Sequence, residues 1–144
     1  MNLLIICEEN ASRSQMAQAV MERLVPEAEI VSAGLKPAGS IHPLAIRAAF
    51  EAGYSLLGQR PKSLDSLAGQ AFDMVLSLCE SPEVTLPVSL QNKVQFSLNL
   101  PDPARAQGSL DQQTQSFCRC FEEIQLGCEL IFSRQVLAQR ECRV

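Results

Sequence analysis

Apolar and polar positions change period several times along the chain, and each change marks a predicted element. Leu3-Leu4-Ile5-Ile6 is an unbroken apolar run of the length of a buried strand. From Gln15 to Leu24 apolar residues recur at helical spacing, and that helix should stop before Pro26. Glu29–Gly34 reads as a second strand. The next helix runs from Leu44 to Ala52, with His42-Pro43 leading in and Gly53 ending it. His42 is the only histidine and reads as a cap or turn residue. Residues 54–70 read as a loop with a short helix, punctuated by Gly58, Pro61 and Gly69, and Arg60 and Lys62 there as solvated surface. Phe72–Leu78 gives a third strand that terminates at Cys79. Residues 80–91 turn the chain back, and Val94–Leu100 gives a fourth strand. From about Ser109 the pattern is helical. Phe117, Cys120, Phe121, Ile124, Cys128, Ile131 and Phe132 form a stripe at three- and four-residue steps that should pack on a sheet. Gly127 lies inside that helix and weakens it by up to about 1 kcal/mol relative to alanine. The last few residues are expected to fray.

Strands alternating with helices at these short spacings imply right-handed βαβ units and a parallel sheet. The expected fold is α/β: a four-stranded parallel sheet with helices on both faces, as one domain over residues 1–144. The length suits one core, since a chain of this size buries about 68–70% of its unfolded surface. With 47% hydrophobic and 19% charged residues the composition is ordinary for a globular protein. The net charge is −4 and the basic residues are scattered, which argues against a nucleic-acid or anionic-membrane partner. No apolar run approaches the ~20 residues of a membrane span, and no basic leader precedes the first strand. A cytoplasmic monomer is expected. In that compartment Cys7, Cys79, Cys118, Cys120, Cys128 and Cys142 read as thiols rather than as a disulfide framework.

Chemistry concentrates where the first strand meets the first helix. Cys7-Glu8-Glu9-Asn10-Ala11-Ser12-Arg13-Ser14 puts a cysteine at a strand's carboxyl end and an arginine at a helix's start, with five residues between them. In an open α/β sheet that crevice is where ligands bind. A loop wrapped before a helix N-terminus turns the amides of residues 8–13 inward, and the helix adds roughly half a positive charge. Cys7 would then lie beneath one small anion and Arg13 would grip it bidentately. The same field is expected to bring the Cys7 thiol from about 8.5 into the ~3.5–7.5 range, with the Ser14 hydroxyl donating to the thiolate. Cys79 and Asp102, at the ends of the third and fourth strands, share this edge of the sheet. Asp102, in the Pro101-Asp102-Pro103 turn, is the natural general acid for an oxygen leaving group. No metal is expected. Cys118 and Cys120 diverge by about 200° on a helix and cannot face one ion. Cys120 and Cys128 belong to the apolar stripe, and Cys142 lies in the tail.

The segment Cys-x-x-Asn-x-x-Arg-Ser-Gln-Met-Ala, Cys7 to Ala17, resembles the low-molecular-weight protein tyrosine phosphatase superfamily, more closely its arsenate reductase branch. Ser32–Gly34 and Pro37–Gly39 are similar to the branch's Ser-Ala-Gly and Pro-Ala-Gly. Glu9 stands where many members carry glycine, and it is expected to point to solvent. The resemblance spans the chain and implies the flavodoxin-like fold of that family. It also matches Asp102 to the family's Asp-Pro general acid. Where the phosphatases carry an acidic residue this chain has Cys79, which the resemblance implies to be a second thiol. The activity so implied is reduction of arsenate to arsenite through a Cys7 arseno-thiol adduct and a Cys7–Cys79 disulfide. The alternatives are a phosphatase for phosphotyrosine or small phosphate esters using Cys7 and Asp102, and a non-catalytic oxyanion-binding or redox-sensing module. No bound cofactor is expected. Thioredoxin-coupled members have a third cysteine just before a proline, and this chain has Leu86-Pro87 there. An external small thiol such as glutathione, with a glutaredoxin-like thiol-transfer protein, is therefore the expected reductant.

Overall fold

The structure is a computed structural model that describes residues 1–80, 90 and 93–141, those after Ser133 as helix backbone alone. The apolar run predicted at Leu3–Ile6 forms strand β1, Asn2–Cys7, at the interior of the sheet. Around it lie β2 (Glu29–Gly34), β3 (Met74–Ser77) and β4 (Val94–Ser97) in the order β2-β1-β3-β4, every pairing parallel. Side chains alternate across a strand, so β1 feeds both faces. Leu3, Ile5 and Cys7 join one core cluster with Met16, Met21, Phe117, Phe121 and Ile124. Leu4 and Ile6 join a smaller one with Val75, Phe72, Leu67 and Leu90. Each fully buried large side chain contributes about 1.5–3 kcal/mol relative to an exposed one, and the unbroken apolar run is what lets β1 bury both faces.

Helices α1 (Arg13–Leu24), α2 (Pro43–Glu51) and α3 (Leu110–Glu141) cover the larger cluster. The short helix expected within residues 54–70 is a 3-10 turn, Leu64–Leu67, whose Ser63 hydroxyl accepts from Asp65 N; it contributes Leu64 and Leu67 to the other face. As expected of a cap residue, His42 Nδ1 accepts from Leu44 N at the start of α2. No helix among the described residues is long and apolar enough to cross a membrane.

Strands β3 and β4 are shorter than the apolar pattern suggests, and side chains explain both ends. Ahead of β3, Asn2 N donates to the Asp73 carboxylate at 2.7 Å, which closes the ladder before Phe72 can pair. Beyond β3 and β4, Leu78 O and Leu100 O accept from Arg13 Nη1 at 3.2 and 2.9 Å. Gly127 also has a packing reason: a β-carbon there would lie 2.5 Å from Leu98 Cδ1. Leu98 fills that space against α3.

Candidate active site

The loop from Cys7 to Arg13 is shaped by what surrounds it. Cys7 O, Glu8 O and Glu9 O accept from Leu35 N, Lys36 N and Ala38 N, and Ala11 O accepts from His42 N. With those carbonyls bound outward, the amides of the loop are left to turn inward, and Asn10 N lies 3.3 Å from Cys7 Sγ. This is what the Ser-Ala-Gly and Pro-Ala-Gly stretch does physically. Gly34 permits the approach, because a β-carbon there would lie 2.9 Å from both Asn10 N and Glu9 C. Asn10 takes φ +53°, a left-handed turn that asparagine tolerates. Ser12, at the N-cap of α1, makes no side-chain cap, so the first helical turn is left open to an anion.

A buried polar network sets the direction of one proton. Lys62 N donates to Asn10 Oδ1 at 2.9 Å, and Gln15 Nε2 donates to the same atom at 3.0 Å. That fixes Asn10 with its amide nitrogen toward Ser14 Oγ, 2.6 Å away. Ser14 Oγ accepts there, so its own hydrogen is free for Cys7 Sγ at 2.9 Å. Gln15, fully buried, also donates to Asn10 O and Arg60 O and accepts from Gln59 Nε2. Lys62 is half-buried, and burial, then the neighbouring Arg60, lowers its pKa. The Arg60 side chain is exposed, as expected, whereas Lys62 is half-buried, and the backbone of this segment supports the loop: Gly34 N donates to Lys62 O and Gly34 bridges Ser63. Gln15, Gln59 and the 60–63 backbone were missed from sequence. The one available signal was a glutamine inside the Gln-Met-Ala stretch.

Arg13 is 3% exposed, and its nitrogens are divided between tasks. Nη1 ties together the ends of β3 and β4. Nη2 donates to Glu8 Oε2 at 2.6 Å and lies 3.9 Å from Asp102 Oδ2. Among the described residues, Nε is the buried side-chain polar atom without a partner, a charged donor waiting for an acceptor. The small cleft over it is lined by Cys7, Glu9, Ala11, Ser12, Arg13 and Asp102, so Glu9 is solvent-exposed at the mouth. The glutamate that pairs with Arg13 is Glu8.

Cys79 is fully buried just past β3, and contacts of the loop bracket it. Arg13 holds the carbonyl of Leu78 before it, and Glu8 Oε1 accepts from Glu80 N after it at 3.2 Å. Burial raises the Cys79 pKa, an effect that the charge of Glu8 reinforces and a bond from Ser77 opposes, so it rests as a thiol. Asp102 caps a 3-10 turn, Pro103–Arg105, through Ala104 N, and its other oxygen faces Arg13. A larger cavity of about 460 Å³ lies on the far side of Asp102, against Cys120 and Glu123 of α3. It contains neither Cys7 nor Arg13, which meet in the small cleft. Cys120 and Cys128 are buried and pushed up to about 12 by desolvation. Cys118 is raised by burial and by its bond to Glu51. Cys142 and Leu86 lie outside the described residues.

A cysteine sulfur met by a hydroxyl and a backbone amide, an orphaned arginine nitrogen and an aspartate at one strand edge define a cysteine-dependent enzyme of oxyanion chemistry. The chain belongs to the low molecular weight phosphotyrosine protein phosphatase family, which matches residues 2–141, and within it to the arsenate reductase branch. It is 30% identical to the arsenate reductase of Halalkalibacterium halodurans over 85% of this chain and 88% of that protein. It is also 30% identical to the low molecular weight protein-tyrosine-phosphatase Wzb of Escherichia coli K12, over 72% of this chain and 78% of Wzb. The solved structure of an arsenate reductase in the phosphate binding state superposes with a TM-score of 0.79 at 24% identity, covering 92% of this chain and 97% of that one. That likeness shows the fold.

Proposed function

We propose that this enzyme reduces arsenate to arsenite with Cys7 as nucleophile and Cys79 as second thiol. The observation that carries the reading is Cys79 itself, a protonated thiol held between two contacts of the anion loop. Arg13 Nε and the amides of residues 8–13 hold the oxyanion, and Ser14 steadies the thiolate through its directed hydrogen. Cys7 sulfur attacks arsenic and forms an S–As bond, while one As–O bond breaks and leaves as water with a proton from Asp102. Cys79, losing its proton, then attacks Cys7 sulfur. The S–As bond breaks with its electron pair going to arsenic, so As(V) becomes As(III) as two thiols become one disulfide. An external thiol of the glutathione or glutaredoxin type restores both cysteines by exchange, since Leu86 supplies no third sulfur to relay the oxidation.

The phosphatase reading shares the loop, because arsenate and phosphate are nearly isosteric, and residual ester hydrolysis is expected. A site for aromatic esters should carry an aromatic wall. Among the described residues no aromatic side chain lines the cleft, and the single tyrosine, Tyr54, is in the core under Arg23. The test is arsenate turnover beside aryl phosphate hydrolysis in wild type, Cys7→Ser and Cys79→Ser. Cys7→Ser should lose both reactions, because a serine hydroxyl is barely ionised near neutrality. Cys79→Ser should lose multiple-turnover arsenate reduction and keep ester hydrolysis; equal loss of both would make Cys79 structural and return the chain to the phosphatases. Supplying glutathione with glutaredoxin and thioredoxin with its reductase in separate assays tests the reductant, and efficient turnover on thioredoxin alone would refute that part.

A further inference from the structure

We infer that Glu8 is an internal occupant of the anion fork, which the incoming oxyanion must displace and whose departure frees the backbone next to Cys79. The inference rests on the proposed reading of the loop as an oxyanion site and adds the residue that sets its affinity. A guanidinium grips a tetrahedral anion best through two parallel N–H donors. At Arg13 only Nε is unengaged; Nη1 is bound to two backbone carbonyls, and Nη2, the remaining partner for a two-point grip, is held by the Glu8 carboxylate at 2.6 Å. The cleft over Cys7 has room of about 10 Å³, roughly that of a single water. Glu8 flanks that cleft rather than lining it, and its hold on Nη2 is what stands between an anion and a two-point grip.

Glu8 is the group able to move. Its side chain is 37% exposed, so the carboxylate can turn outward into water without crossing the core, whereas Arg13 at 3% cannot. Leaving has a second consequence. The other Glu8 oxygen accepts from Glu80 N, so the carboxylate also tethers the chain immediately after Cys79 to the nucleophile loop. Displacement by an oxyanion releases both contacts. Other local holds remain: Asn99 Nδ2 on Cys79 O, Arg105 on the Glu80 carboxylate and Arg13 on Leu78 O. The buried second thiol is therefore loosened rather than released when the first has a substrate to act on, and the resting dithiol is protected from closing on itself.

Two variants separate the charge from the tether. Glu8→Gln removes the competing charge and keeps an oxygen for Glu80 N; Glu8→Ala removes both. Inorganic phosphate, titrated calorimetrically, is expected to bind both variants about tenfold more tightly than wild type. The expected gain is kept modest because the pair is partly solvent-screened. Mass-mapped alkylation of Cys79 should be slow in free wild type and in free Glu8→Gln, faster in both with saturating phosphate, and fast in Glu8→Ala without it. Phosphate affinity unchanged or weakened in both variants, melting temperatures being equal, would overturn the inference. So would Cys79 labelling indifferent to phosphate in wild type. Neither readout needs turnover, so a protein that fails to reduce arsenate can still pass, and one that reduces it can still fail.

Discussion

Ser14 can direct a hydrogen at Cys7 only because another residue has already taken its oxygen. Asn10 occupies that oxygen, and Asn10 in turn is held by Lys62 N, which can only donate. The chain of constraint therefore runs from a backbone amide through one carboxamide and one hydroxyl to the Cys7 sulfur. Ser14→Ala should lower the rate of arsenate reduction by about 10- to 100-fold, in line with the loss of a hydrogen bond to a charged group. It should also slow alkylation of Cys7 by iodoacetamide at fixed pH. Unchanged alkylation would assign the stabilisation to Asn10 N alone. Cys7, Arg13 and Ser14 were legible in the sequence because they fall within one strand-to-helix junction of fixed length. Glu8 was not legible as an intruder. Which of two adjacent glutamates turns inward is decided by the backbone of the loop, which composition does not encode.

At the scale of elements, the β1–loop–α1 unit depends on a neighbour that contributes absence rather than contact. Gly34 ends β2 opposite Cys7, and its missing β-carbon is the space in which Glu9 and Asn10 lie. Gly34→Ala would press a methyl group on backbone atoms, which cannot swing aside as a side-chain tip can. Overpacking of this kind costs about 1–3 kcal/mol. The expected outcome is a melting temperature lower by roughly 3–10 °C with loss of phosphate binding, since the loop amides move. Gly39→Ala is the control: nothing lies within 4 Å of its added carbon, and it should behave as wild type. The positions of β1, α1 and β2 were legible because apolar period and glycine or proline stops coincide there. The ends of β3 and β4 were not, because the backbone around them is engaged by long-range partners, Asn2 on Asp73 and Arg13 on the carbonyls of Leu78 and Leu100. Asp102 falls at the same edge as Cys7 and Arg13 because parallel strands bring their carboxyl ends together whatever their order. The order β2-β1-β3-β4 itself lay beyond a local pattern.

Across the whole molecule, buried cysteines are expected to make stability depend on alkaline pH. Cys120 and Cys128 are raised by burial from 9.0 to about 12, and Cys79 and Cys118 are raised as well. In the unfolded chain these thiols lose protons from about pH 9, whereas in the folded protein the two deepest keep them until about 12. Between those limits the folded state binds more protons, so stability falls as pH rises; the contribution is complete below 9 and gone above 12. Lys62 acts in the opposite sense. Its pKa is lowered from 10.5, so between its folded value and 10.5 the unfolded chain carries the extra proton and stability rises with pH. One half-buried lysine opposes two deeply buried thiols, and the net slope should be downward. Urea midpoints of the reduced protein, measured from about pH 8 to about pH 11, should fall steadily above 9. Cys128→Val fills nearly the same volume without an ionisable group, and it should flatten that fall while leaving the midpoint at pH 8 nearly unchanged. A slope identical to wild type in Cys128→Val would show that deprotonation of this core thiol does not drive the alkaline loss.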